Sequence, residues 1–229
     1  MAIRLFDCKG FGQIEPSQVW FNRAGMVEAQ CFLDEDLFAA NFPMTPAEAD
    51  EGKIYAENGA FLMVDKQNKT ATVPTKDMSD KGFPMGINYS TEKIYNQFTP
   101  GRRNFCMIAG EYLPRIGYIE PGMRICTNSV AWNDEGDYAT VAPSETEKRD
   151  RSRQLYDIVK EKLANGDPVY AFVVDEGDNL ADRVANGKLV IGASVDDAIG
   201  NVYAQVVQCY TNADTTLAFK IQFINKPQA

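Results

Sequence analysis

The clearest alternation in the chain lies at residues 216–224. Leu217, Phe219, Ile221 and Phe223 fall on one face, and Ala218, Lys220, Gln222 and Ile224 on the other. A period of two with one apolar face predicts a half-exposed strand. Val169, Tyr170, Ala171, Phe172, Val173 and Val174 are apolar on both faces, which predicts a central strand. Two runs at 53–57 and 60–65 flank Asn58-Gly59, a pair that supplies the positive φ angles of a type I′ hairpin turn. A second turn at 66–69 leads into 70–73, and Pro74 ends that run, so a three-strand meander is expected over 52–75. Further short strands are expected at 86–90, 105–109, 113–119, 123–128, 138–142, 188–193 and 201–210, with a type II turn at Pro121-Gly122.

One segment has a helical period instead. Leu155, Ile158, Val159 and Leu163 recur on one helical face. Ser144-Glu145-Thr146-Glu147 has the spacing of a capping box, and Asn165-Gly166 followed by Pro168 supplies the stop. The narrow apolar stripe predicts a helix lying on the body with its far side in water.

These elements predict a mainly β fold, a β-sandwich or barrel and α+β at most. It has one amphipathic helix near 145–164 and an extended N-terminal arm. Three stretches follow: an arm over 1–50, a β-rich domain over 51–143, and a helix plus β-strands over 144–229, either separate or part of the same domain. No internal repeat stands out. The arm is rich in aromatics without a sustained period, and Gly10, Gly12, Pro16, Gly25, Pro43 and Pro46 punctuate it. One strand is expected between 25 and 33. Aromatic residues in an irregular segment need a surface to lie on, either the chain's own body or a neighbouring subunit. Phe6, Phe11, Trp20 and Phe21 are the candidate interface anchors.

Composition narrows the chemistry. The 229 residues are 45% hydrophobic and 24% charged, as in an ordinary globular protein, and no run is apolar enough to span a membrane as a helix. The first ten residues lack the apolar core of a signal peptide, so synthesis and folding in a cytoplasm are expected. The chain contains no histidine. That removes Ser-His-Asp and Cys-His nucleophile schemes and most zinc and non-haem iron sites, and leaves lysine or carboxylate chemistry. The net charge is −9, and residues 1–50 hold 3 basic against 8 acidic residues, so nucleic acid is not the expected partner.

Other constellations read as structure. Cys106, Cys126 and Cys209 sit in apolar runs, and the five cysteines show no CxxC spacing, so they are expected as small buried hydrophobes in a reduced protein. The acidic segments at 133–137 and 175–179 lack calcium-loop spacing and are expected to be turns. No glycine motif for a phosphate is present, and nothing singles out one carboxylate pair as a glycosidase site. Tyr55, Tyr89, Tyr95, Tyr112, Tyr118, Tyr170, Tyr203 and Tyr210 lie in or near expected strands, where burial accounts for most of them.

An aromatic arm precedes the sequence Lys-Ile-Tyr-Ala-Glu-Asn-Gly-Ala-Phe-Leu-Met-Val-Asp at 53–65. Pro114-Arg115-Ile116-Gly117-Tyr118-Ile119-Glu120-Pro121-Gly122-Met123 follows, then Thr127-Asn128. Over residues 50–142 this pattern resembles small virion proteins of tailed bacteriophages, of the kind that decorate or cement a capsid. The resemblance implies a non-enzymatic structural protein without a cofactor, assembled as a small homo-oligomeric ring, a trimer foremost. Its partners would be the major capsid protein or other virion proteins, and neither nucleic acid nor a membrane. It implies a place on the capsid exterior after synthesis in the host cytoplasm, with the arm lying on neighbouring subunits. Acidic charge suits an outer surface better than one facing the genome. A tail, connector or head-fibre base component fits the same composition, and a carbohydrate-binding module or an enzyme using lysine or carboxylate groups are the readings from other classes.

Overall fold

A computed structural model of the chain describes residues 2–4, 27–28, 31–33, 55–57, 59–88, 106–108, 112–113, 116–133, 145–174, 189–192, 195–200, 202–211 and 217–225. The protein is strand-rich, 51% strand against 21% helix among the described residues. In chain order the elements are β1 (Ala2–Arg4), β2 (Val27–Glu28), β3 (Cys31–Leu33), β4 (Tyr55–Glu57), β5 (Phe61–Asp65), β6 (Thr70–Thr72), α1 (Lys76–Asp80) and β7 (Met85–Asn88). Then come β8 (Cys106–Ile108), β9 (Tyr112–Leu113), β10 (Ile116–Tyr118), β11 (Arg124–Thr127), β12 (Val130–Asn133) and α2 (Glu145–Asn165). β13 (Val169–Phe172), β14 (Leu189–Ile191), a 3-10 turn (Val195–Asp197), β15 (Val202–Thr211) and β16 (Leu217–Asn225) complete the chain. The strand expected at 138–142 and the acidic turns at 134–137 and 175–179 lie outside the described residues, as does the expected cap at Ser144.

Two sheets of seven strands carry the fold, with β4 and β8 pairing separately. We call the sheet ordered β2-β10-β7-β5-β6-β3-β9 the first, and the sheet ordered β11-β16-β15-β13-β14-β12-β1 the second. Both are curled, and chain length explains why. Residues 128–129 alone join β11 to β12, so Thr127 and Val130 lie within ~11 Å of each other. Five strand spacings separate β11 from β12 in the sheet order, about 24 Å if the sheet were flat. The sheet must curl until its two ends approach. The same holds in the first sheet, where residues 29–30 join β2 to β3 and residues 114–115 join β9 to β10. The corner at 128–129 is buried; Ser129 N–H donates to Thr127 Oγ1 at 2.9 Å and Val130 N–H to the Asn128 carbonyl at 2.8 Å.

The two sheets repeat one topology, which the sequence did not reveal. Taken in chain order, β2, β3, β5, β6, β7, β10 and β11, β12, β13, β14, β15, β16 occupy the same places, 1-6-5-3-4-2. Each neighbouring pair has the same sense: all are antiparallel except strand 4 beside strand 2, which is parallel in both. A seventh strand lies antiparallel on strand 2 in each, β9 in the first sheet and β1 in the second. A helical turn joins strands 4 and 5 in both, α1 in the first and the 3-10 turn in the second.

Most expected strands are present. β16 alternates as its sequence predicts from Phe219 on, with Phe219, Ile221 and Phe223 fully buried and Lys220, Gln222 and Ile224 half-buried, while at its start Ala218 is buried and Leu217 only half-buried. β13 is central, with Val169 and Ala171 buried on one face and Phe172 on the other. The turn at 66–69 joins β5 to β6, and the Asp65 carboxylate accepts from the Gln67 and Asn68 amides at 2.8 and 3.1 Å. The type II turn is present, with Gly122 at φ 95 and a Met123 N–H to Glu120 carbonyl bond of 3.2 Å.

The hairpin at Asn58-Gly59 is a correction. Gly59 has the positive φ expected of a turn, 90°, but β4 pairs with β8 rather than β5. Both edges of β5 are taken, by β6 and β7, so the chain leaves the sheet at the turn. The strand expected over 113–119 is two, β9 and β10, which occupy different places in the curled sheet. The single strand expected between 25 and 33 is two, β2 and β3. α1, β1 and β12 were not expected.

The helix α2 ends as expected. Gly166 (φ 82) donates to the Leu163 carbonyl at 3.2 Å and Asp167 to the Lys162 carbonyl at 2.9 Å, the paired bonds of a Schellman motif. Its buried stripe differs from the expected one. Leu155 and Val159 are buried and Tyr156 and Leu163 pack beside them, while Ile158 is 41% exposed. The Tyr156 ring, 5.9 Å from that of Phe219, takes the contact that Ile158 was expected to make.

One hydrophobic cluster draws on both sheets. Inward residues of six strands of the second sheet, β11 to β16, from Ile125 and Val130 to Val206 and Ile221, meet Leu155 and Val159 of α2. Phe61, Met63 and Ile87 of the first sheet join the same cluster, and the Phe61 and Phe223 rings meet edge-on at 6.0 Å. The linker between the sheets is bonded to this junction: Gly122 N–H donates to the Phe223 carbonyl at 2.7 Å.

Candidate assembly interface

Phe6, Phe11, Trp20 and Phe21, the expected anchors, lie outside the described residues. What the structure adds about the first 50 residues is backbone pairing. β1 lies on β12 of the second sheet, with Ala2 opposite Asn133, Ile3 opposite Trp132 and Arg4 opposite Ala131. β2 pairs with β10, and β3 is held between β6 and β9, all in the first sheet. The N-terminal region therefore contributes strands to both sheets. Of the two surfaces considered for the arm, the chain's own body receives at least these segments.

Backbone edges are the natural docking elements of such a protein, because each outer N–H and C=O of an edge strand can join another strand. The sheet orders end at β2 and β9 in the first sheet and at β11 and β1 in the second. All four are short, from two to four residues. Short edges limit uncontrolled pairing with other chains. On β11, Arg124 is exposed and its Nε donates to Gln222 Oε1 at 3.1 Å, placing a cation beside that edge. β1 and β12 were missed because three or four residues give too short a pattern to establish a period. The available signal was Val130-Ala131-Trp132 directly after the turn-forming Asn128-Ser129.

Electrostatics mark two groups. The Asn68 amide foremost, against an opposing effect of desolvation and with help from the Asn68 side chain and the Gln67 amide, holds the Asp65 carboxyl below its ordinary value of 3.8. This is the chemistry of a turn, and Asn68 Nδ2 completes it at 2.7 Å. Burial pushes the Cys209 thiol up to about 11, with Lys160 opposing and Asp157 reinforcing the shift. Its Sγ donates to the Tyr156 carbonyl at 3.8 Å, joining β15 to α2. Cys31 and Cys126 are buried and Cys209 is half-buried, close to the small hydrophobes expected, while the burial of Cys106 lies outside the described residues. Tyr203 is buried as expected, but Tyr118, Tyr170 and Tyr210 are only half-buried. Lys66 and Lys220 lie over the rings of Tyr118 and Tyr210, at 4.4 and 5.6 Å from their centroids.

Among the described residues no group of three or more Cys, Asp and Glu side chains is placed to hold a metal ion. No helix among them is long and apolar enough to cross a membrane. No protein-family model matches the chain, and neither a curated protein nor a solved structure is similar to it.

Proposed function

We propose that this chain is a non-enzymatic structural protein of a tailed-phage virion, one that decorates or stabilises the capsid through contacts between subunits. The observation that carries this reading is the use of the N-terminal region. Short segments of it are spent as strands in two different sheets, with residues 5–26 between β1 and β2 and residues 34–54 between β3 and β4. Chains that bridge subunits are built this way, because main-chain pairing fixes the ends while the connection spans the gap. The resemblance over residues 50–142 supplies the phage context, and a net charge of −9 fits a surface turned away from nucleic acid. The body is strand-rich with a shared core, which suits a rigid module presenting that region.

Co-sedimentation of the full chain with expanded heads of the phage that encodes it, stripped of accessory proteins, tests the reading. Saturable binding at a fixed number of copies per capsomer is expected. Failure to bind heads at any ratio would remove the capsid role.

A further inference from the structure

We propose that the outer edge of β12 is a strand-exchange site, filled in the assembled protein by residues Ala2–Arg4 of a second copy of this chain. The inference rests on the assembly reading above and names the segment and its acceptor.

It comes from the one place where the two sheets fill the same position differently. In the first sheet the strand on strand 2 is β9, which runs into β10 through residues 114–115. A two-residue link ties β9 to its own sheet. In the second sheet strands 5 and 6, β15 and β16, are joined by residues 212–216 alone, against residues 89–115 between β7 and β10. The place on β12 is taken instead by the N-terminus, as β1. Between β1 and β2 lie residues 5–26, a connection that spans up to about 70 Å at ~3.3 Å per residue. That exceeds the width of a domain this size, so a neighbour's β12 is within reach.

Energetics favour exchange once copies are held together. The ladder joins Ala2 to Asn133, Ile3 to Trp132 and Arg4 to Ala131 through main-chain groups, and it is the same whichever copy provides the strand. Three residues of pairing add little on their own, so the local concentration of strand and acceptor decides the partner. A long connection keeps the effective concentration of the chain's own strand modest, and a neighbour fixed by other contacts competes on equal terms. The same edge that closes one copy then ties each copy to the next.

Paired cysteine variants of the full chain test this. Arg4→Cys and Ala131→Cys are made as separate single variants and co-expressed, and also combined in one chain. Mass spectrometry identifies the linked peptides after mild oxidation. A disulfide between the two single variants can form only between copies, and it is expected at a yield comparable to that of the double variant. Linkage in the double variant without any between the single variants overturns the exchange, because the pairing is then within one copy. Absence of linkage in both overturns it as well, since β1 is then not on β12. Ala2→Cys with Asn133→Cys repeats the test at the adjacent register should the first pair fold poorly. Solution mass of the same samples keeps the two ideas apart. An oligomer with only intrachain linkage defeats the exchange and leaves assembly standing, whereas a monomer with no interchain linkage removes both.

Discussion

The two sheets share one frame and differ in what hangs from it. Strands 1 to 6 have the same order and senses in both, and each sheet turns its first corner with two residues. The connections diverge. Between strands 2 and 3 the first sheet carries β4 and the second carries the 21-residue helix α2. Strands 5 and 6 of the first sheet are separated by a stretch that holds β8 and β9, while those of the second are joined by residues 212–216. Connections vary more than the frame, whose central strands are constrained by interior packing, although α2 adds Leu155 and Val159 to the same core. The comparison teaches that, among the described residues, the strand beside strand 2 comes from between strands 5 and 6 in the first sheet and from Ala2–Arg4 in the second.

The largest expected effect tests whether the sheets are one folding unit. Phe61 is fully buried and joins the cluster that fills the second sheet. Phe61→Ala is expected to lower stability by about 3–5 kcal/mol. In chemical denaturation the whole protein should shift in one transition followed equally by fluorescence and circular dichroism. Two transitions, with only one displaced, would show the sheets to be independent.

A second substitution separates the sheets by how closely strands approach. Gly86 in β7 has no side chain, and a Cβ there would collide with Cγ2 of Ile116 and press on the Gly117 carbonyl oxygen at 3.3 Å. Ile116 is fully buried and cannot swing clear. Gly86→Ala is expected to cost about 1–3 kcal/mol by overpacking. A neutral result in thermal unfolding would mean that strands 5 and 6 of the first sheet are looser than they look.

The two helices offer a matched pair. Both α1 and α2 end in a Schellman motif, at Gly82 (φ 81) and Gly166 (φ 82), and neither glycine has a neighbour within 4 Å of an added Cβ. Only backbone strain is then at stake, and Gly82→Ala and Gly166→Ala should each cost ~1–2 kcal/mol. Unequal losses by denaturant titration would show that one helix tolerates fraying.

The smallest effects depend on pH. The Asp65 carboxyl is held below its ordinary value, so its stabilising turn is intact above the unfolded pKa and is lost as pH falls through the folded one. Asp65→Asn should flatten that acid limb of the stability curve. Cys209 behaves oppositely. Its thiol is raised from 9.0 to about 11, so the unfolded chain ionises first and stability declines as pH rises from 9 towards 11. Cys209→Ala should remove that decline, and the wild-type thiol should react slowly with a disulfide reagent at pH 8.

The sequence made the long, regular elements legible. β16 alternates over nine residues, β13 is apolar on both faces, and α2 has a period, a Gly stop and a proline beyond it. Some short elements were legible from flanking turns, as β6 and β14 were, and others were not. β1 and β12 are three and four residues long, too few for a period to emerge, and α1 has only the Thr75 cap and Gly82 stop to mark it. Pairing was the other blind spot. Asn58-Gly59 correctly marked a turn, but local chemistry does not say that β6 and β7 will occupy both edges of β5. The repeated topology leaves no trace in residue spacing because the connections differ in length, and a frame of short strands is satisfied by many apolar residues. The anchors Phe6, Phe11, Trp20 and Phe21 rest on composition alone, and no pairing or burial of these residues is described.

Assembly is tested most directly by the mass of the full chain in solution, measured by light scattering across a wide concentration range. A small oligomer of constant number, a trimer foremost, is expected at all but the lowest concentrations. A monomer at every concentration that also fails to gather on phage heads would contradict an assembling structural role.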